Sequence, residues 1–140
     1  MSEAFDVIVK EVNASPPERK LIAAIERTNL SADVKAILCD LARITIRVGG
    51  KVVAIGRRIL SFALDLMRAF PSMALGVIVA MILTGVVADI PAVGKWVAAV
   101  LSPLLLALGI GLGALNDMSR PDFAARIDAL VSSFKALVEV

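Results

Sequence analysis

AFPSMALGVIVAMILTGVVA, residues 69–88, and WVAAVLSPLLLALGIGLGALN, residues 96–116, decide how this chain is read, because they hold twenty and twenty-one consecutive uncharged residues. At a rise of ~1.5 Å per residue, each suffices for a ~30 Å hydrocarbon core. Between them Asp89-Ile90-Pro91-Ala92-Val93-Gly94-Lys95 supplies turn formers and one charge of each sign. Trp96 opens the second stretch where an interfacial aromatic belongs. The pattern predicts a two-helix transmembrane hairpin over residues 71–115. Pro103, inside the second helix, is tolerable where neighbours re-satisfy the backbone.

The whole composition agrees with a membrane class. Of 140 residues 59% are apolar, and the mean hydropathy is +0.86. Those values lie outside the range of ordinary soluble domains. The first dozen residues interleave Glu3, Asp6, Lys10 and Glu11 with apolar positions. A secretory signal needs an uninterrupted apolar core, so insertion is expected to use the internal segments.

Upstream, Phe5, Ile8, Val9 and Val12 fall on one face of a short helix. Ser15-Pro16-Pro17-Glu18 reads as a capped start of a second helix reaching about Thr28. Ser31 caps the next, with Asp33 in its first turn, and no proline follows until Pro71. The simplest expectation is one helix of nearly forty residues. Along it Val34, Ile37, Leu41, Ile44, Val48, Val52, Ile55, Ile59, Phe62 and Leu66 form a seam at close to heptad spacing. Ala42, Gly49, Gly56 and Ala63 recur every seven residues on one flank, the spacing of a close helix contact. Alternatively, Gly49-Gly50 ends one helix and starts another. The other flank carries bases in its middle and acids at its ends. Residues 41–70 hold Arg43, Arg47, Lys51, Arg57, Arg58 and Arg68 against Asp65 alone, which suggests anionic headgroups or charges on a neighbouring helix. Nucleic acid is disfavoured, since only Phe62 and Phe70 could stack there.

Downstream, Ser119-Arg120-Pro121-Asp122 starts a tail helix with Phe123, Ile127, Leu130, Phe134 and Leu137 as its stripe. The expected fold is therefore an all-α integral membrane protein. Amphipathic helices over 1–70 and 116–140, including one long N-terminal helix, flank the hairpin of 71–115. Gly109, Gly111 and Gly113 extend a small-residue face along the second membrane segment. The competing arrangement buries the hairpin inside a soluble bundle and in that respect resembles the pore domains of colicins. It needs more amphipathic sheathing than a single long helix and short segments provide. In layout, though by no shared motif, the chain is similar to two-segment phage holins and to reticulon-like membrane-shaping proteins.

Chemistry is narrowly bounded. The chain has no His and a single Cys, Cys39, which removes imidazole catalysis, His or multi-Cys metal sites and an intrachain disulfide. The glycine run at 109–113 lacks the Lys-Ser/Thr and preceding strand of a phosphate loop. A non-enzyme without cofactor is expected, acting as a homo-oligomeric membrane scaffold or structural subunit. A pore-forming or holin-like protein is the alternative, and an anchor recruiting a cytosolic partner through residues 1–30 the second. Apart from the terminal Asn116, the polar side chains inside the two segments are Ser72, Thr84 and Ser102, too few for a wide aqueous lining. Eleven Lys/Arg precede Ala69 whereas the connecting loop has only Lys95, which predicts both termini on the cytoplasmic side, as in a bacterial inner membrane.

Overall fold

The computed structural model describes residues 3–118 and 120–138, with the side chains of residues 112, 116 and 118 outside that description. It is mostly helical. The helices are α1 (Glu3–Asn13), α2 (Glu18–Glu26), α3 (Ala32–Ala42), α4 (Ile55–Ala69), α5 (Leu75–Asp89), α6 (Pro91–Leu108), α7 (Leu112–Met118) and α8 (Pro121–Phe134). A short antiparallel hairpin of β1 (Ile46–Val48) and β2 (Lys51–Val53) separates α3 from α4, and a 3-10 turn (Lys135–Leu137) follows α8.

The expected forty-residue helix is thus two helices around a β-hairpin. Gly49 and Gly50 have φ of 57° and 78°, which the right-handed helix excludes and a two-residue hairpin turn requires. The flanking Ile44-Thr45-Ile46 and Val52-Val53 are β-branched and pair as Ile46 with Val53 and Val48 with Lys51. Asn13 locks the hairpin from outside. Its Nδ2 donates to the Val52 carbonyl at 3.0 Å, and its Oδ1 accepts from the Ala54 amide at 2.9 Å. At the start of α4 the Gly56 amide donates to the Ile44 carbonyl at 3.1 Å, bringing α4 back against the end of α3.

Two helix starts differ in detail. The Ser31 hydroxyl accepts from the Val34 amide at 3.2 Å and caps α3 as its sequence position suggests. Ser15 instead donates to the Val12 carbonyl at 2.7 Å, closing α1, and Pro17 stands at the N-cap of α2.

The first apolar stretch yields a shorter helix than its composition suggests. α4 runs to Ala69, Pro71 interrupts, and α5 begins only at Leu75. Its fifteen residues span ~22 Å. Ile90 alone links α5 to α6, with Pro91 at the first helical position, so most of the expected loop is helix. α6 continues through Pro103 and ends where Gly109 turns left-handed at φ 70°. The second stretch therefore divides between α6 and α7. Among the described residues, α6 is the one helix long and apolar enough to cross a membrane.

α5 forms the centre. Nine of its fifteen residues are buried, and it packs against α4, α6 and α8. Dividing the long helix provides the extra sheath: α3 packs on α6 and α4, and α1 and α2 pack on α4. All five residues of the tail stripe, from Phe123 to Leu137, are buried, and the 3-10 turn meets α1. One apolar cluster joins these elements, and no polar or charged side chain among the described residues is buried. Thr84, within α5, meets its own need by donating to the Ala80 carbonyl at 2.7 Å.

Candidate functional site

The small residues singled out in the sequence separate into three environments. Ala42 and Ala63 are buried at 2% and 0% exposure, and Gly56 sits where a Cβ would overlap the Leu41 carbonyl oxygen. Gly56 thus belongs to the α3–α4 contact within one chain, and Ala42 and Ala63 belong to the apolar core of that same chain. Gly49 belongs to the β-turn, so the four do not line one helix face. Gly109, Gly111 and Gly113 form the third group. A Cβ at any of them would meet nothing within 4 Å, and Gly109 also caps α6.

Two further glycines mark closer helix contacts. A Cβ on Gly94 would lie 2.7 Å from the Val87 Cα, which makes this the close crossing of α5 and α6. One on Gly76 would lie 2.9 Å from a Leu108 methyl and 3.2 Å from a Val34 methyl. Both glycines open small-residue runs at every fourth position, Gly76-Ala80-Thr84 in α5 and Gly94-Ala98-Ser102 in α6, a spacing that by itself points to a packing face.

The basic row is largely committed inside the chain. Arg43 pairs with Glu18 at 3.0 Å and Asp40 at 3.5 Å, Lys51 with Asp6 at 3.3 Å, and Arg58 with Glu11 at 3.4 Å. Arg57 donates to the carbonyls of Ser15 and Pro16 at 3.2 and 3.3 Å. Arg68 pairs with Asp65 at 3.2 Å along its own helix. These contacts tie α1 and α2 to the α3–β–α4 segment. Each exposed pair contributes only about 0–1 kcal/mol, so their effect is orientation more than stability. Arg47 is exposed and makes no ion pair among the described residues.

Cys39 is 8% exposed in α3. Burial pushes its thiol above the usual range, with Glu26 and Asp40 adding to the effect and Arg43 opposing it. A thiol held protonated in this way is a poor nucleophile. Among the described residues no cluster of three metal-ligating side chains occurs. The surface clefts lined by described residues include two. The larger, about 390 Å³, opens between the α2–α3 and α4–α5 connections and is lined by Thr28, Asn29, Leu30 and Met67 among others. The smaller, about 200 Å³, lies between α2 and α4 beside Lys20, Ser61 and Asp65.

The most distinctive surface is the outer side of α6. Val93, Val97, Val100 and Leu104 face inward, while Ala92, Trp96, Ala99, Pro103 and Leu106 face outward. Leu106 is 83% exposed and Trp96 46%. The only charge on this helix, Lys95, places its ammonium 5.5 Å from the centre of the Trp96 ring. Every other long amphipathic helix carries acids or bases on its exposed side. The 4-3-4-3 spacing of the outward row was present in the sequence but invisible there, because the inward row is equally apolar. No protein-family model, curated protein or solved structure matches this chain.

Proposed function

We propose that this chain is a non-enzymatic membrane protein, a structural subunit that assembles with further copies at a bilayer. The outward face of α6 carries the reading: an uncharged row with a nearly bare leucine and a half-exposed tryptophan is costly in water and favourable in lipid. Its eighteen residues also have the length and composition of a membrane span. Gly109, Gly111 and Gly113 leave room for the backbone of another copy, the kind of contact that drives helix association in lipid.

Flotation of the full chain with phosphatidylcholine vesicles, followed by light scattering of the detergent-extracted particle, tests both halves of the proposal. Co-flotation and a protein mass that is a multiple of 14.7 kDa are expected. A chain left at the bottom of the gradient, or a 14.7 kDa particle at all concentrations, overturns the corresponding half. Gly113→Leu is expected to lower the particle mass while leaving the fold intact.

One observation favours a second reading, a membrane-permeabilising protein. α5 is apolar on all sides, and the cover it has comes from helices of its own chain. If those helices part, α5 and α6 would enter a bilayer together as a hairpin. Release of an encapsulated dye from vesicles at submicromolar protein supports that reading, and intact vesicles carrying bound protein support the scaffold.

A further inference from the structure

We propose that the outward face of α6 docks this bundle flat on the interface of a bilayer, helix axis in the membrane plane, with little regard to headgroup charge. The inference rests on the membrane reading above and specifies how contact is made. Orientation follows from what the other side of α6 does. Val93, Val97, Val100 and Leu104 are 0–7% exposed, and Gly94 lies against the Val87 backbone. A helix held so tightly offers lipid one face only, so the intact bundle can immerse the row but cannot surround α6 with hydrocarbon.

The row itself fits a shallow apolar layer. From Ala92 to Leu106 it covers ~21 Å at helical rise without a charged member. Trp96 is amphipathic and settles at the boundary between chains and headgroups. The Lys95 ammonium beside its ring lies within reach of the phosphate layer, as flexible lysines do at such boundaries. A rigid protein partner would have to match this row closely in shape. Small side chains flanking one tryptophan and one leucine make a ridge that a fluid phase accommodates.

Charge independence follows from the ion pairs. Arg43, Lys51 and Arg58 are engaged by acids of α1 and α2, Arg57 by the carbonyls of Ser15 and Pro16, and Arg68 by its helix neighbour Asp65. That leaves Lys95 on the docking face and Arg47 on the β-hairpin as the bases of these segments without an acid or carbonyl partner among the described residues. Attraction of anionic lipid through that basic row would compete with these contacts.

Trp96 is the only tryptophan and tyrosine is absent, so intrinsic fluorescence reports this face alone. The full chain is mixed with vesicles of phosphatidylcholine, or of phosphatidylcholine with one quarter phosphatidylglycerol, containing lipids doxyl-labelled either near the headgroup or near the chain end. The expected result is stronger quenching by the shallow label in both compositions, with partition coefficients within about fivefold of each other, the effect of Lys95 alone. Leu106→Lys should reduce partitioning about tenfold or more, by removing apolar area from the contact. Since Leu106 is 83% exposed, the variant should melt like the parent, which separates lost docking from lost folding.

Hairpin insertion would also leave Trp96 shallow, so the variant Trp96→Phe with Leu106→Trp reports the other end of the row, ~15 Å along the helix. Shallow quenching there too is expected, and stronger quenching by the deep label overturns flat docking in favour of hairpin insertion. A rise of more than about tenfold with the anionic lipid moves contact to the basic segment and also overturns it. Co-flotation with unquenched Trp96 rejects this face while leaving the membrane reading in place. Trp96 shielded from acrylamide in buffer, together with a doubled particle mass, gives the face to a second copy. Failure to float with either vesicle removes the membrane reading as well.

Discussion

A methyl group on Gly56 would have to occupy the space of the Leu41 carbonyl oxygen, and backbone cannot rotate aside as a side chain can. Gly56→Ala should therefore destabilise the fold by about 1–3 kcal/mol, the range for overpacked sites. Gly113→Ala, with open space around it, should shift stability by no more than about 0.5 kcal/mol. Urea unfolding followed by far-ultraviolet circular dichroism measures both, and equal midpoints for the two variants would refute the α3–α4 contact. Cys39 provides a second test at this scale. Its raised thiol pKa arises mainly from burial, so the folded state binds the thiol proton more tightly than the unfolded state does. Stability from this group is fully present below the ordinary thiol pKa and is lost as pH rises through the raised value. Cys39→Ala should flatten the alkaline decline in stability, and maleimide labelling of the parent near neutral pH should run at the rate of local opening. Labelling as fast as that of a free thiol would show Cys39 to be accessible.

Helix α3 and helix α4 were legible in the sequence as apolar periodicity, and their separation only as the alternative reading of Gly49-Gly50, with no sign of the strands between them. The heptad-like seam from Val34 to Leu66 runs without a break through Val48 and Val52, because a β-hairpin with two residues in its turn also presents apolar residues at short, regular intervals. Backbone dihedrals decide the matter, and only Gly49 and Gly50 signal them. Asn13 is the other determinant, supplying two hydrogen bonds across about forty residues of sequence. Asn13→Ala should cost about 1–2 kcal/mol, since the Ala54 amide is part-buried and loses its acceptor. Amide hydrogen exchange checks this: protection should fall first in residues 46–54, and uniform loss across all helices would argue against a local anchor. Helices α5 and α6 show the opposite case. Their apolar character was plain, yet their ends were set by Pro71, Pro91 and Gly109 rather than by where charges resume.

At the scale of the molecule, α5 depends on its neighbours because its own surface has no polar side. Phe123, Ile127 and Phe134 of α8 are buried, the Phe70 and Phe123 rings meet edge to face at 5.3 Å, and the Arg126 guanidinium lies 5.4 Å from the Phe70 ring centre. A chain truncated before Pro121 should therefore bare part of α5 and lose cooperative unfolding. Dye binding to exposed apolar surface and a broadened thermal transition are the expected signs. A sharp, parent-like melt would mean that the remaining helices suffice as cover. Leu106→Lys is the matching control, altering an equally large apolar side chain at a position that contributes almost nothing to the core.

The sequence by itself determined the mostly helical character, the apolar centre of the chain, the amphipathic stripes of α1 and α8, and the absence of imidazole chemistry. These follow from composition and from periodicity within single helices, where each residue's position is set by its near neighbours. Tertiary structure alone decided which apolar surface is covered. The outward and inward rows of α6 are chemically alike, and only contacts with α3 and α5 distinguish Val97 at 0% exposure from Leu106 at 83%. The same holds for Arg43, Lys51 and Arg58. Their apparent availability ended when folding brought Asp6, Glu11 and Glu18 beside them from 25 to 47 residues away.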